Sequence, residues 1–405
     1  MTSGTPQPSP RGSWRLLLDS AFGPFFVGNL LSNSGTWFQN IAAILLIYDL
    51  TGSATLVGLV SAMQFGFTLL LSPLTGVWAD RVDRRALMLV GQTLGIVSAI
   101  SLAVLVGHGL TAGWVLILVA VAGVGHAVTS PAMQASIPAL VRGPEVATAV
   151  ALQSLTFNLA RAIGPALGAL VYVSYGPAIS FSVNAVTYLV LVVVLLFIRF
   201  APRERRKEAD RSVLGGLRFV RSSPALIALL IGVGALGFAM DPVNTLSPSM
   251  AELFGRGDTF VGFMVATFGA GAVCAVPLVG PLRRGSEAGV VGRGALLVLG
   301  AAMAVFAIAW SSAAVLIALF VGGAAFLVGV GDLTAAIHER IDDELRGRVM
   351  AIWGMSFLGL RPIAAVVHGR LGDLVGPRVG VAFATVVAVT SALVVGVLLR
   401  RDSPR

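Results

Sequence analysis

Twelve stretches of more than 20 mostly apolar residues divide this chain, and a water-soluble fold has no interior large enough to hide them. They cover about residues 22–48, 54–75, 86–107, 112–139, 146–172, 177–199, 223–250, 259–281, 290–310, 313–337, 347–371 and 377–399. About 20 apolar residues in a helix span the hydrocarbon core of a bilayer. Turn chemistry separates most neighbours, as at Thr51-Gly52-Ser53, Gly107-His108-Gly109 and Tyr175-Gly176-Pro177. The charge content agrees: 12% of the residues are charged and 56% hydrophobic, against about 25% charged in a soluble domain. The fold class expected is an all-α polytopic membrane protein with twelve transmembrane helices.

The charges orient the helices. The formal net charge is +9, almost all of it from arginine, with Lys207 the only lysine. Alternate loops hold Arg81, Arg84 and Arg85; Arg142; Arg203, Arg205, Arg206 and Lys207; Arg283, Arg284 and Arg293; and Arg340, Arg346 and Arg348. The opposite loops are nearly bare, apart from Asp49, His108, the group Glu252, Arg256 and Asp258, and the exception Arg370, Asp373 and Arg378. The positive-inside rule then places both termini in the cytoplasm of a plasma (inner) membrane protein. Short basic clusters between apolar runs suit anionic lipid rather than nucleic acid. The lone Cys274 permits no disulfide within the chain and no cysteine metal site.

Residues 1–14 are Pro/Ser-rich without a following h-region and read as a disordered cytoplasmic tail. Residues 200–222 form the one strongly polar stretch, a cytoplasmic linker between six-helix halves at 15–199 and 223–400. The halves match weakly at an offset of 200 residues: Ala151, Phe157, Arg161 and Gly176-Pro177 recur as Ala351, Phe357, Arg361 and Gly376-Pro377. Two related halves joined by a linker are the plan of transporters built from repeats.

The most specific segment is Gly76-Val77-Trp78-Ala79-Asp80-Arg81-Val82-Asp83-Arg84-Arg85, expected as the loop after the second helix. Gly76 suits a tight turn, Asp80 can face the positive end of a neighbouring helix, and the arginines can bridge carboxylates or lipid phosphates. A generic basic loop is the bland alternative. The segment resembles the loop motif G-x-L-A-D-R-x-G-R-[KR] of the major facilitator superfamily, matching at Gly76, Ala79, Asp80, Arg81, Arg84 and Arg85 and departing at Trp78 and Asp83. In the fifth stretch, Ala160-Arg161-Ala162-Ile163-Gly164-Pro165-Ala166-Leu167-Gly168 resembles the antiporter motif of the same superfamily. Gly164 and Gly168 share a helix face that admits a close neighbour, and Pro165 favours a kink. A packing face with no role in coupling is the alternative. With the segment 342–350, these features are most similar to the branch of enterobactin, drug and macrolide exporters. The resemblance implies the major facilitator fold and proton-driven export by alternating access. The second-half counterpart of the loop, Gly280-Pro281-Leu282-Arg283-Arg284, lacks the aspartate, and the first helix reads Gly35-Thr36-Trp37 where the branch often has an acid.

Polar residues in lipid are costly, about 2.5 kcal/mol or more for a charge, and mark function by default. Arg161 falls in the middle of the fifth helix and Arg361 in the equivalent place of the eleventh. Asp241 lies deep in the seventh, with Asn244 and Ser247 on its face. Asp332 stands near the cytoplasmic end of the tenth, as a gate or solvated group. Asn33, Trp37 and Asn40 form one stripe and Ser61, Gln64, Thr68 and Ser72 another; Asn158 joins the list from the fifth helix. His126 titrates in a useful range, though a lone histidine is more often structural, and His108 and His368 are expected at the interfaces. The proton and substrate candidates are thus Asp241, Asn244, Arg361, Asp332, His126, Asn33, Asn40, Gln64 and Asn158.

An enzyme fits poorly. Gly232-Val233-Gly234-Ala235-Leu236-Gly237 matches a dinucleotide fingerprint in letters but sits in an apolar helix. No cofactor or metal is implied. The expected partners are a small-molecule substrate, protons and the bilayer, for a monomer exporting a drug-like compound or siderophore. A nutrient importer on the same fold, or a membrane enzyme or scramblase, are the alternatives. The orientation yields a direct prediction. Epitope tags inserted after residue 210 and appended after Arg405 should both react with antibody only in inverted vesicles; tags on opposite sides would overturn the even-helix topology.

Overall fold

Backbone amides in hydrocarbon find no water, so each must be satisfied inside its own helix or a closed barrel. The computed structural model describes residues 12–198, 200 and 213–402, and among them there are helices and turns but no strand. The crossings are α1 (Phe22–Thr51), α2 (Ala54–Arg81), α3 (Arg84–Leu105), α4 (Ala112–Ser136), α5 and α6 (legs of the run Val146–Phe197, residues 146–175 and 177–197), α7 (Pro224–Ala239), α8 (Asp258–Ala275), α9 (Val290–Ile308), α10 (Ser312–His338), α11 (Asp343–Val375) and α12 (Pro377–Asp402).

The run Val146–Phe197 is one helix only by hydrogen bonding, because Gly176 adopts φ 82° and ψ 171°. The α1 residues record the reversal: Gly164 and Gly168 lie beside Trp37 and Ile41, whereas Gly28 and Gly35 lie beside Leu191 and Asn184. One leg therefore runs along α1 and the other back against it. Gly376 makes the matching turn between α11 and α12 with φ 108°. A positive φ is open to glycine at no steric cost, and the proline that follows cannot continue the helix before it.

Helix packing repeats with a step of six. The α1 helix packs on α5 and α6 as α7 packs on α11 and α12; α3–α4, α2–α4 and α3–α6 recur as α9–α10, α8–α10 and α9–α12. The halves meet along α2–α11 and α5–α8. Lipid tails are as apolar as leucine, so association in the membrane relies on close packing rather than on the hydrophobic effect. The α2–α11 seam shows this: a methyl group on Gly58 would overlap the Ala365 carbonyl, and one on Gly369 the Ala54 carbonyl.

Several expected boundaries shift. The span 223–250 is not one helix: it breaks at Met240–Asp241 and continues as the short helices Pro242–Thr245 and Ser247–Leu253, because Pro242 and Pro248 lack the N–H that would extend the ladder. The α2 helix runs on through Arg81, so Gly76 and Asp80 are helical rather than in a loop, and Gly76 makes no turn. The real break is Val82–Asp83, where Asp83 caps α3 by accepting from the Arg85 N–H, a role that suits aspartate. Of the expected linker, 201–212 lies outside the described residues, while Val213–Ser222 is a helix packed on α11. Of the expected tail, residues 1–11 lie outside them and a short helix begins at Ser13.

Charged groups finish the helix ends. At the end bearing Asp49 and Glu252, Asp373 on α11 accepts from Ser53 Oγ at 2.7 Å and from the Ala54 and Thr55 amides at 2.7 and 2.9 Å. A carboxylate from one half thus caps the positive N-terminus of α2 in the other. Beside it Tyr48 donates to Glu252 at 2.5 Å, a second bond across the halves. Arg378 donates to the Ala307 and Ala309 carbonyls at the end of α9 and covers the Trp310 ring. The exceptional charges of this end are therefore helix caps and clasps.

Breaking one clasp tests how these bonds hold that end shut. Asp373→Asn should raise the ratio of open to closed ends about thirtyfold, for a loss of about 2 kcal/mol in charge-assisted bonds. Spin labels at residues 50 and 374 in a Cys274→Ser background would report it as a new population at longer distance; an unchanged distribution would reduce Asp373 to a surface cap.

Candidate transport site

The break leaves Asp241 between the end of α7 and the short helix Pro242–Thr245, buried to 2% exposure. Its carboxylate accepts from Thr245 Oγ1 at 2.9 Å and faces His368 Nδ1 of α11 at 3.3 Å. His368, near the end of α11, is fully buried. Phe238 and Phe383 pack edge-on against its ring, and its Nε2 has no hydrogen-bond partner. Asn244 is buried one turn on, while Ser247 turns its hydroxyl to the Val243 carbonyl.

Both arginines come to this centre. Arg361 is 8% exposed, its guanidinium lies 5.3 Å from the Phe65 ring, and its Nε is buried without a partner. It feels the Asp241 charge, yet no ion pair forms between them. Arg161 donates to Met240 Sδ at 3.0 Å and stands over Phe326 at 4.7 Å, with Trp37 and Phe268 within 6 Å. The rings under the two guanidinium groups, Trp37 and Phe65, lie 5.6 Å apart. Against the two guanidinium groups stands one carboxylate, already engaged by Thr245 and His368. Beside Arg161 a cavity of about 20 Å³ is lined by Gly269, Ala272, Val273, Val276, Phe326 and Leu327.

The first half faces this centre with amides. Asn40 donates to Gln64 at 3.0 Å, joining α1 to α2, and Gln64 reaches the Thr36 carbonyl. Asn33 folds back on Asn29, which donates to Thr156. His126 meets the Phe65 ring edge-on at 6.2 Å. The chemistry offered is cation and aromatic recognition at the middle of the bundle, with a carboxylate–imidazole pair beside it.

A profile of the transmembrane secretion effector family of major facilitators matches residues 11–403. The chain belongs to that family. It is therefore a membrane transporter, not an enzyme. It is 28% identical over 413 residues to the enterobactin exporter EntS of Escherichia coli O1:K1, covering 96% of this chain and 94% of the relative. The EntS protein of Shigella boydii serotype 4 is similar at 27%. Among solved structures, a bacterial homologue of the human lysosomal transporter Spinster, inward-facing and unoccupied, superposes with a TM-score of 0.77 at 14% identity, over 97% of this chain and 99% of that one. The nucleoside transporter NupG gives 0.75 at 11% identity, over 93% and 98%. These likenesses confirm the major facilitator fold.

The transporter places the remaining candidates as follows. Asp332 is neither solvated nor free: it is buried, paired with Arg283 Nε at 3.0 Å, and accepts from the Gly292 amide in the first turn of α9. Arg283 also meets Glu339. The second-half loop that lacks its own aspartate thus receives a carboxylate from α10. In the first half, Arg84 donates to the Ala135 carbonyl at 2.5 Å and Arg85 to the Leu196 carbonyl, while Arg81 is exposed. The side chains of Asp80 and Asn158 lie outside the described residues. Gly164 and Gly168 pack on α1 within their own half; Pro165 and Ala169, one residue on, meet Gly262 of α8 across the seam. The glycines of the fingerprint-like run in α7 pack against Leu333, Leu360 and Phe357.

Several buried polar pairs inside the first half escaped the sequence reading. Gln39 and Asn184 pair between α1 and α6, Thr36 meets Tyr188, and Ser32 donates to Gln92. Each lies inside an expected membrane span, and a polar side chain within such a span is the signal that could have found it.

The two partners of Arg283 separate by burial. Asp332→Ala leaves the partly buried guanidinium with the exposed Glu339 alone and the α9 N-terminus unanswered, and should cost about 3 kcal/mol. Glu339 is 53% exposed, so Glu339→Ala should cost below about 1 kcal/mol. Thermal unfolding in detergent would check the order; equal shifts would contradict it.

Proposed function

We propose that this transporter exports a small organic molecule, of the drug-like or siderophore class, in exchange for protons by alternating access across the plasma membrane. Both termini are cytoplasmic in this reading, and the arginine-rich end faces inward. The observation that carries it is the buried pair Asp241–His368 at the break in α7, beside the seam where the halves meet. Imidazole exchanges protons near neutral pH more readily than any other side chain. The groups facing the pair are Thr245 on the short helix after the break and Arg361 on α11, with Arg161 reaching Met240 from α5. Protonating the pair changes the charge that opposes the arginines, and a substrate that contacts those arginines feels the change. Proton and substrate then bias one inward–outward equilibrium, and the coupling is reciprocal.

Three further points support export by this route. The curated relatives similar over almost the whole chain are enterobactin exporters. The cross-half bonds of Asp373 and Glu252 close one end of the bundle, as one limb of alternating access requires. The α5 face at Pro165 and Ala169 touches α8 across the seam, where a rocking motion would pass.

Inverted vesicles with an acidic lumen test the reading. Adding enterobactin or an organic dye outside should drive its accumulation and release protons from the lumen. Asp241→Asn should fold and insert normally, retain measurable substrate binding, abolish proton release and flatten the pH dependence of binding. Well-folded Asp241→Asn protein that still accumulates substrate at the full gradient-driven rate would sink the assignment. Accumulation only in right-side-out vesicles would reverse the direction.

A further inference from the structure

Two guanidinium groups and one carboxylate do not balance. Arg161 stands over Trp37 and Arg361 over Phe65, the two rings lie 5.6 Å apart, and neither arginine forms an ion pair with Asp241. The other buried carboxylate of the second half, Asp332, is committed to Arg283 and the α9 amide. Uncompensated charge in a bundle interior is expensive, and a protein that keeps it without a partner leaves room for a counter-charge from outside. The buried and unpartnered Nε of Arg361 is a donor still to be satisfied. A guanidinium is also the cation built for flat anions, because its donors form a fixed fork.

The surroundings select further. Phe65 lies under Arg361, and Phe326, Trp37 and Phe268 surround Arg161. Phe326 is stacked on Phe357, which is stacked on Trp353, so a band of rings runs along the α10–α11 side. Rings present flat apolar faces to a planar ligand, and arginine stacks on the same planes. A ligand cation would meet two like charges and one engaged carboxylate. A neutral ligand could accept from the Arg361 donor but would leave the two positive charges unanswered.

We propose that the cargo of this site is an aromatic acid, a planar ring system carrying a carboxylate or similar anionic group, with the anion bridging Arg161 and Arg361 and the ring lying among Phe65, Trp37 and Phe326. The proposal rests on the export reading only in taking the centre of the bundle as the place where cargo binds. The cavity beside Arg161 is about 20 Å³, room for roughly one water, so the ligand enters as the halves part at the end not clasped by Asp373.

The test is equilibrium calorimetry on the detergent-solubilised full chain, with no proton gradient. Salicylate, 2-naphthoate and anthracene-9-carboxylate form the acid series. Their comparators are 2-naphthamide, 2-naphthylmethylammonium and cyclohexanecarboxylate. At least one aromatic acid should bind tenfold or more tighter than the amide, the cation and the aliphatic acid. Arg161→Gln and Arg361→Gln should each weaken that acid at least tenfold. Arg161→Lys and Arg361→Lys, which keep the charge but lose the fork, should weaken it about three- to tenfold, and they decide the matter if a glutamine variant does not purify as a monodisperse species. Acid-selective binding that survives unweakened in the arginine variants would overturn the proposal. So would equal binding of the cation or amide, or no binding by any acid. The outcomes separate from those of the transport assay: acid-selective binding without proton release sinks antiport alone, whereas gradient-driven uptake of a cationic dye without acid-selective binding sinks this inference alone.

Discussion

A charge enclosed by hydrocarbon has no water to solvate it, so another part of the protein has to answer it. The fold is arranged around such answers. Asp332 is met by Arg283 and by the start of α9, Asp373 by the start of α2, and Arg378 by the carbonyls that end α9. Each answer joins two helices, and the Asp373 bond joins two halves. Asp241 is met by Thr245 and His368. Arg161 and Arg361 are answered only by sulfur, rings and a distant carboxylate. The least balanced point in the bundle is its centre, where a transporter handles its cargo.

Between these charges, packing carries the structure. Glycines remove the side chain wherever two backbones need to touch, at Gly58 and Gly369 on the α2–α11 seam and at Gly164 and Gly168 inside the first half. Contacts of this kind give no directional hold. Among the described residues the hydrogen bonds that cross the seam are few: Arg161 to Met240 at the centre, and those of Asp373 and Glu252 at one end. The clasp at Asp373 has leverage because it supplies several charge-assisted hydrogen bonds where the glycine contacts supply only van der Waals contact.

The halves repeat in helix pairing but not in chemistry. The first half buries paired amides, Asn40 with Gln64 and Gln39 with Asn184, whereas the second buries a carboxylate and an imidazole. Arg161 and Arg361 stand at matching positions of the repeat, on α5 and α11. The amide side can orient polar groups of a cargo without changing charge, and the other side can change charge. Such a division suits a site where recognition and proton exchange share one space.

The sequence by itself determined the twelve crossings, the paired turns at Gly176 and Gly376, the family, and the identity of Arg161, Arg361 and Asp241 as costly groups. It could do so because hydrophobic length, turn residues and intramembrane charge are local quantities. Only the tertiary structure decided what these groups touch. His368 reads as an interface residue from its distance to the end of α11, but the break in α7 at Pro242 turns Asp241 toward it. Asp332 reads as solvated from its place near a helix end, but Arg283 folds over it from the loop after α8. Gly164 and Gly168 read as a seam, but the seam lies one residue further round the helix, at Pro165 and Ala169. In each case the deciding contact comes from a helix remote in sequence, and a position within one helix carries no record of which neighbour the fold will bring against it.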